Sequence, residues 1–506
     1  MARATAIVLL VLCASPSLNA SDRGLPRLSG HLHTTAEHFG DSPFAPADVD
    51  DTRFVLDDAF DLDTGCTFRS GGPLVIHLKI GRYVGAVKGD QTLAEPTRLI
   101  AKNLISRTAH LRMPVYDVDV RGDPDDPTVA PERDRLFFNG HDLGLLTGDN
   151  EVWKLNEFDL PIEWIKFPPS GSPGSPPLPA DNILEIRIDE SNGKDVWCTS
   201  VDWVELEFSA MAPVFLVHGT NAQSDTWDPH FTTFFRNSGA PFSNNINLAK
   251  NGTILGNGKL LADALDGLAA AFGARKCHII AHSKGGLDTR AYLSTHYDAK
   301  RLRVLSVYTI STPHHGTIVS DVIHIKRTTS NPQSANADLQ FLIDRDPVWI
   351  GPQDPALGEQ TTSAMAAFNR TYPSVPSDVL FYNYGADADT NDNGSIEAGE
   401  TDGMPFDILP GRGTIGGVMY RTIGTVATVK VTTESHLWGL LKFTHIEVAT
   451  AASSFRLNDL VVSDESAHSP GGTYLGPILN GNHSSIKSEG LASSILDHIL
   501  ADFPNR

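Results

Sequence analysis

Ser283, Asp459 and His483 are the residues whose types and order could do nucleophilic chemistry. Ser283 sits in Ala281-His282-Ser283-Lys284-Gly285, a form of G-x-S-x-G with alanine in the first glycine's place. The apolar run Cys277–Ala281 leads into it, and helix-like sequence follows from Leu287. A strand that turns this sharply into a helix needs small residues two before and two after the serine, and it pushes the hydroxyl out of the top of a sheet. Alone, such a pentapeptide is also what an ordinary strand-to-helix turn looks like. A serine attacks a carbonyl only if a base takes its proton, and the base needs a carboxylate to fix its tautomer. Asp459, in the strand-end loop Leu457–Val462, and His483, in Gly481-Asn482-His483-Ser484-Ser485 at the head of a last helix expected over Ser484–Phe503, follow in the order acid, then base. Asp464 is the rival acid, and Asp459 is preferred. His282, His314, His315 and His468 are the rival histidines; His282 adjoins the serine, and His314-His315 come too early in the chain.

Charge developing on a carbonyl oxygen needs backbone donors already in place. The amide of Lys284, at a helix start, is one candidate. The amide of Thr220 is the other, because Gly219 just before it allows close approach and both follow the apolar strand Val214–Val217.

The elements around these residues alternate. Val214–Val217 is a continuous apolar run, as in a strand buried on both faces of a parallel sheet. Helix-like Gly258–Phe272, strand Cys277–Ala281, helix Leu287–His296 and strand Arg303–Ile310 follow. That order predicts an α/β domain over residues 211–506 with a mostly parallel sheet and its chemistry at the strands' carboxyl ends. A further strand is expected over Val379–Tyr384. Residues 21–210 read differently. Leu74–Ile80, Met113–Val120, Arg135–Phe138, Trp153–Pro161, Asn182–Ile188 and Asp202–Phe208 alternate apolar and polar residues. Asn139–Asp149 reads as a turn-rich connection, and Pro168–Pro179 as a Pro/Ser/Gly loop. The pattern predicts an antiparallel all-β sandwich of the galactose-binding-like type, a resemblance of pattern with no specific motif. Trp153, Trp164, Trp197 and Trp203 could stack on a sugar or polymer, though tryptophan in a sandwich is more often core.

At 506 residues, two or three domains are expected. A net charge of −21 argues against nucleic acid and anionic membranes as partners. Residues 1–20 read as a secretory signal: Arg3, the apolar stretch Ala6–Ala14, then a small residue at Ala20. A secreted chain, extracellular or periplasmic, with no integral membrane segment once mature is expected. Cleavage leaves Cys66, Cys198 and Cys277; the first two can pair in an exported protein, and Cys277 reads as a buried free thiol.

Phe215–Asn221 (FLVHGTN), Ala281–Arg290 (AHSKGGLDTR), Thr309–Thr317 (TISTPHHGT), Asn458–Val462 (NDLVV) and Gly481–Ser485 (GNHSS) together resemble the secreted bacterial triacylglycerol lipases of the α/β-hydrolase fold. The resemblance spans about Ala212–Arg506 and leaves the N-terminal region outside. It implies Ser283 as nucleophile, Asp459 as acid, His483 as base, and Thr220 and Lys284 as oxyanion donors. It also implies a mobile lid, for which Thr317–Pro355 is the candidate. The chain departs from that family at Ala281 and Lys284. It also lacks an aspartate in Ser484–Ser488, where the family often holds a structural calcium.

Another calcium site is legible. Asp389–Glu400 (DTNDNGSIEAGE) matches D-x-[DN]-x-[DN]-G-x5-E throughout. Side-chain oxygens of Asp389, Asn391, Asn393 and Glu400, the Ser395 carbonyl, and Gly394 at the sharp turn suit a hard cation. An acidic surface loop is the plainer reading. A structural Ca2+ with no organic cofactor is expected.

These features point to a secreted serine carboxylic-ester hydrolase acting on lipid esters through an acyl-enzyme on Ser283. A polyester depolymerase anchored by the N-terminal domain is the near alternative. A carbohydrate- or surface-binding protein with an inactive hydrolase domain is the alternative of another class.

Overall fold

The computed structural model describes residues 42–44 and 62–501, except 63, 81–84, 88–89, 93–99, 123–127, 129, 168–179, 190–197, 209–210, 228, 273, 346–354, 405–411, 437–440 and 451–453. The expected leader, Trp197 and the Pro168–Pro179 loop lie outside these residues.

From Val214 onward the chain builds a six-stranded sheet in which every pairing is parallel. Its strands are β1 (Val214–Val217), β2 (Phe242–Ser243), β3 (Lys276–His282), β4 (Arg303–Ile310), β5 (Leu380–Asp387) and β6 (Thr473–Leu479), in the spatial order β2-β1-β3-β4-β5-β6. After β1 the chain goes first to one side (β2) and then to the other (β3), so the order reverses at β1. The crevice outside the carboxyl ends at such a reversal is where ligands bind. Both faces are covered. Phe215, Val217, Cys277, Ile279 and Ala281 face one hydrophobic cluster, shared with Leu261 and Leu265 of the helix Ile254–Phe272. Val214, Leu216 and Ile280 face another, shared with Phe231, Phe235, Ile495 and Ile499. Strands buried on both faces explain the unbroken apolar runs.

Before Glu207 the pairings among described strands are antiparallel. Thr108–Tyr116 pairs with Trp153–Pro161, Cys198–Val201 and Glu205–Glu207. A second sheet runs Leu74–Ile80, Ala180–Arg187, Arg135–Phe138, His141–Leu145. In both, alternate residues are buried: Leu74, Ile76 and Leu78 in one, Ala109, Leu111 and Met113 in the other, all in one cluster.

Several expected boundaries need correction. The strand expected over Met113–Val120 runs Thr108–Tyr116 and stops where Asp117 turns to φ +62°. Asn139–Asp149 is not all connection. Only Asn139 (φ +50°) and Gly140 (φ +83°) turn, and His141–Leu145 returns as a strand. An Asn-Gly pair supplies the two positive φ values such a hairpin needs. Asp202–Phe208 is broken, with only Glu205–Glu207 in the ladder. The last helix begins at Glu489, because Asn482 to Ser488 is spent on local turns. Trp203 is core, donating to the Phe44 carbonyl at 3.0 Å, whereas Trp153 and Trp164 are half-buried.

Cys66 and Cys198 form a disulfide across 132 residues. A cross-link closing so long a loop restricts the unfolded chain. Cys198→Ser should therefore cost about 2–5 kcal/mol, read as a lower urea midpoint against the oxidised wild type. An unchanged midpoint would contradict it.

Candidate active site

Ser283 follows β3 directly with φ +56° and ψ −134°, a strained turn for a residue carrying a Cβ. The helix Lys284–Thr295 starts at the next residue. It fits because Gly285 lets the helix approach β1: a Cβ there would lie 2.5 Å from the His218 carbonyl oxygen and 2.8 Å from that of Val217. Gly219 is just as constrained. A Cβ on it would lie 2.6 Å from Ser283 Cβ and 3.1 Å from its Oγ. The two strand ends therefore meet backbone against side chain, and only glycine leaves room.

His483 and Asp459 arrive from loops after β5, and His483 follows β6. The Ser283 hydroxyl donates to His483 Nε2 at 2.9 Å, and His483 Nδ1–H donates to Asp459 Oδ2 at 2.6 Å. Asp459 is fully buried, and its Oδ1 accepts the backbone N–H groups of Val461 (3.0 Å) and Val462 (2.7 Å). The loop thus folds around its own carboxylate. The His483 N–H donates to the Asp459 carbonyl at 2.9 Å, so acid and base are joined through main chain as well.

The rivals are occupied elsewhere. Asp464 accepts the Tyr474 hydroxyl and lies 3.6 Å from His468 Nε2. His314 is buried against Thr309 and Arg290, and burial holds its pKa well below the usual histidine value. The N–H of His315 donates to Ser466 Oγ at 3.2 Å. His282 Nε2–H donates to the His483 carbonyl at 2.8 Å, so it braces the candidate base from behind. Burial first, then the nearby Lys487 and His483, keep His282 neutral.

Three features escaped sequence reading. The Lys284 ammonium, far from reaching solvent, is buried and bonded to both oxygens of Asp288 at 2.7 and 3.0 Å. Asn257 donates to the same carboxylate at 2.9 Å, and burial raises its pKa to about 6. An i,i+4 Lys–Asp pair was visible in the sequence, but not its burial. Lys487 is a second buried amine, bonded to the Ser484 carbonyl at 3.0 Å, with burial lowering its pKa to about 8. Asn482 was the third. Its Nδ2 donates to the carbonyls of Glu400 (3.0 Å) and Asp402 (2.9 Å), tying the residue before His483 to the acidic loop.

Thr220, the expected oxyanion donor, follows Gly219, and its Oγ1 accepts from Gln360 Nε2 at 3.1 Å. Lys284 is the first residue of its helix, where backbone N–H groups lack intrahelical acceptors. The described part of Thr317–Pro355 forms helices Ile318–Thr328 and Ala337–Asp344, packed into a third cluster with the helix Arg412–Thr425 and the hairpin Val426–His436/Leu441–Thr450.

In the acidic loop, Asp389 and Glu400 are buried while Asn391, Asn393 and Ser395 are exposed. Asp389 accepts the N–H groups of Asn393 (3.1 Å) and Gly394 (2.6 Å), and Gly394 has φ +78°. Glu400 accepts from Thr390 and Glu397. Among the described residues no group of three or more His, Cys, Asp or Glu side chains is arranged to hold a metal. Two carboxylates, two amide oxygens and a main-chain carbonyl are the loop's donors, a hard-oxygen set that suits calcium.

Among solved structures the chain is similar to a lipase of Bacillus licheniformis in its mature form (22% identity over 57% of this chain and 92% of that one, TM-score 0.38). It is also similar to lipase 1 of Pelosinus fermentans (16%, 56% and 98%, 0.34) and to a phospholipase of Legionella pneumophila (12%, 48% and 51%, 0.28). No family model matches the chain. No curated protein matches it either. No helix among the described residues is long and apolar enough to cross a membrane.

Proposed function

We propose that the chain is a serine carboxylic-ester hydrolase of the α/β-hydrolase type, acting on lipid esters. The observation that carries this is the unbroken hydrogen-bond chain from Ser283 Oγ through His483 to the buried Asp459 carboxylate. His483 Nε2 takes the hydroxyl proton as Oγ attacks the ester carbonyl, and Asp459 stabilises the imidazolium that results. The N–H groups of Thr220 and Lys284 receive the oxyanion. His483 then gives its proton to the leaving alcohol; it next takes a proton from water, which attacks the acyl-enzyme, and returns that proton to Ser283 Oγ as the acid leaves. The test is hydrolysis of short- and long-chain p-nitrophenyl esters and of emulsified triacylglycerol. Cleavage of long chains supports the lipid-ester reading, and a folded protein that cleaves no ester overturns it. Export belongs to the same proposal: residues 1–20 would serve as the leader, and the Cys66–Cys198 disulfide suits an oxidising compartment.

A structural calcium at Asp389, Asn391, Asn393, Ser395 and Glu400 belongs to the same proposal. These residues would hold the ion through oxygen alone, and it would neutralise the buried Asp389 and Glu400. Calcium at about 100 times its Kd should stabilise the fold by roughly 2.7 kcal/mol. Differential scanning calorimetry with calcium, with chelator, and in Asp389→Asn reads this. A melting temperature that ignores millimolar calcium would count against the site.

A further inference from the structure

His218 takes no part in the proton relay, yet its ring is held at both nitrogens. The Leu248 N–H donates to Nε2 at 3.0 Å. Nδ1 lies 2.9 Å from the carbonyl oxygen of Gly219, which can only accept. One form of imidazole satisfies both contacts, the neutral ring with its proton on Nδ1. Burial keeps the ring neutral by lowering its pKa, with the Lys284 and Lys250 charges acting in the same sense. The ring therefore grips the Gly219 carbonyl permanently.

That carbonyl belongs to the peptide Gly219–Thr220. A trans peptide is planar, with its C=O and N–H pointing opposite ways, so fixing the oxygen fixes the Thr220 N–H. Among the described residues that N–H has no acceptor. Gly219 itself rests against Ser283, and a glycine beside a peptide is the residue least able to stop it rotating. Gly219 has no side chain to hold this peptide, and the Thr220 hydroxyl, bonded to Gln360 Nε2, does not grip its oxygen. The His218 ring does.

We infer that His218 is a positioning residue, whose Nδ1–H holds the Gly219 carbonyl so that the Thr220 N–H stays aimed at the oxyanion. This rests on the ester-hydrolase reading and adds the group that pre-forms its oxyanion hole. Two substitutions separate the two contacts. Asparagine puts an amide nitrogen near the place of Nδ1, and glutamine puts an amide oxygen near the place of Nε2. His218→Gln should keep the Leu248 contact and lose the Gly219 one. Its kcat should fall roughly 100-fold with KM within about twofold, because a transition-state donor is lost. Affinity for an alkyl boronic acid, which mimics the tetrahedral oxyanion, should fall in parallel. His218→Asn should recover most of the kcat that glutamine loses. The reverse ranking, equal losses, or losses in KM alone would overturn the inference. If either variant melts below assay temperature, 15N imidazole spectra of the wild type decide independently. A proton on Nδ1 is required, and a proton on Nε2 sinks the proposal. A wild type with that tautomer but no esterase activity would refute the function and leave the peptide clamp standing.

Discussion

Ser283→Ala should remove the proposed ester hydrolysis almost completely, with kcat falling roughly a millionfold, while the protein stays folded. The size follows from the arrangement. Ser283 Oγ is the atom presented to His483 Nε2 at 2.9 Å, and the nearby His282 is committed to the His483 carbonyl. No other hydroxyl is bonded to His483 among the described residues. Folding survives because alanine keeps the Cβ that already sits against Gly219, and because the turn is shaped by backbone packing at Gly285. Melting temperature and turnover of p-nitrophenyl esters, measured on the same preparation, check both halves. The variant should also resist labelling by an alkyl fluorophosphonate. Retention of more than about 1% of wild-type turnover would mean another nucleophile.

Asp459→Asn should cost roughly 10⁴ in kcat with little change in KM. The amide can keep one oxygen for the N–H groups of Val461 and Val462, so the loop should close as before. Its NH2 then faces His483 Nδ1, which must accept instead of donate. The proton moves to Nε2, and the nitrogen that should receive the serine proton already carries one. Asp464→Asn is the control. That carboxylate faces Tyr474 and His468, and its loss should leave kcat within a fewfold. Equal losses in the two variants would reopen the choice of acid.

The site was legible where its chemistry is local. A tight strand-to-helix turn demands small residues at fixed offsets, so Ser283 could be placed from five letters. Asp459 and His483 followed from their order in the chain and from loops that end strands, and the structure brings all three side chains together. The parallel sheet was legible in Val214–Val217 and Cys277–Ala281, because strands buried on both faces leave unbroken apolar runs. Alternation likewise marked half-buried strands such as Leu74–Ile80 and Trp153–Pro161, but strands with neither pattern escaped. Thr473–Leu479 carries Gly476 and Pro477 and is mostly half-buried, so neither a run nor an alternation marks it. Val426–His436 is largely exposed along its second half and rich in threonine. The role of His218 was out of reach for another reason: its second partner, Leu248, lies thirty residues on, and only folding puts it there. Lys284 read as a departure from a family pattern, when its charge is cancelled by Asp288 within one helical turn.

The hydrophobic cluster on one face of the parallel sheet does not stop where the antiparallel strands end. Leu111, Val115 and Leu184 belong to the same continuous core as Leu216, Phe235 and Ile495, and the Met211 N–H donates to the Leu104 carbonyl across the join. A part that shares its interior with its neighbour cannot be exchanged like a cassette. Cutting the chain near residue 210 would bare the face on which Phe231 and Phe235 pack, and the parallel-sheet part would meet water through its own core. Core substitutions on either side of the join, at Leu111 or Leu184 as at Phe235 or Ile495, are therefore constrained by one another's side-chain volumes.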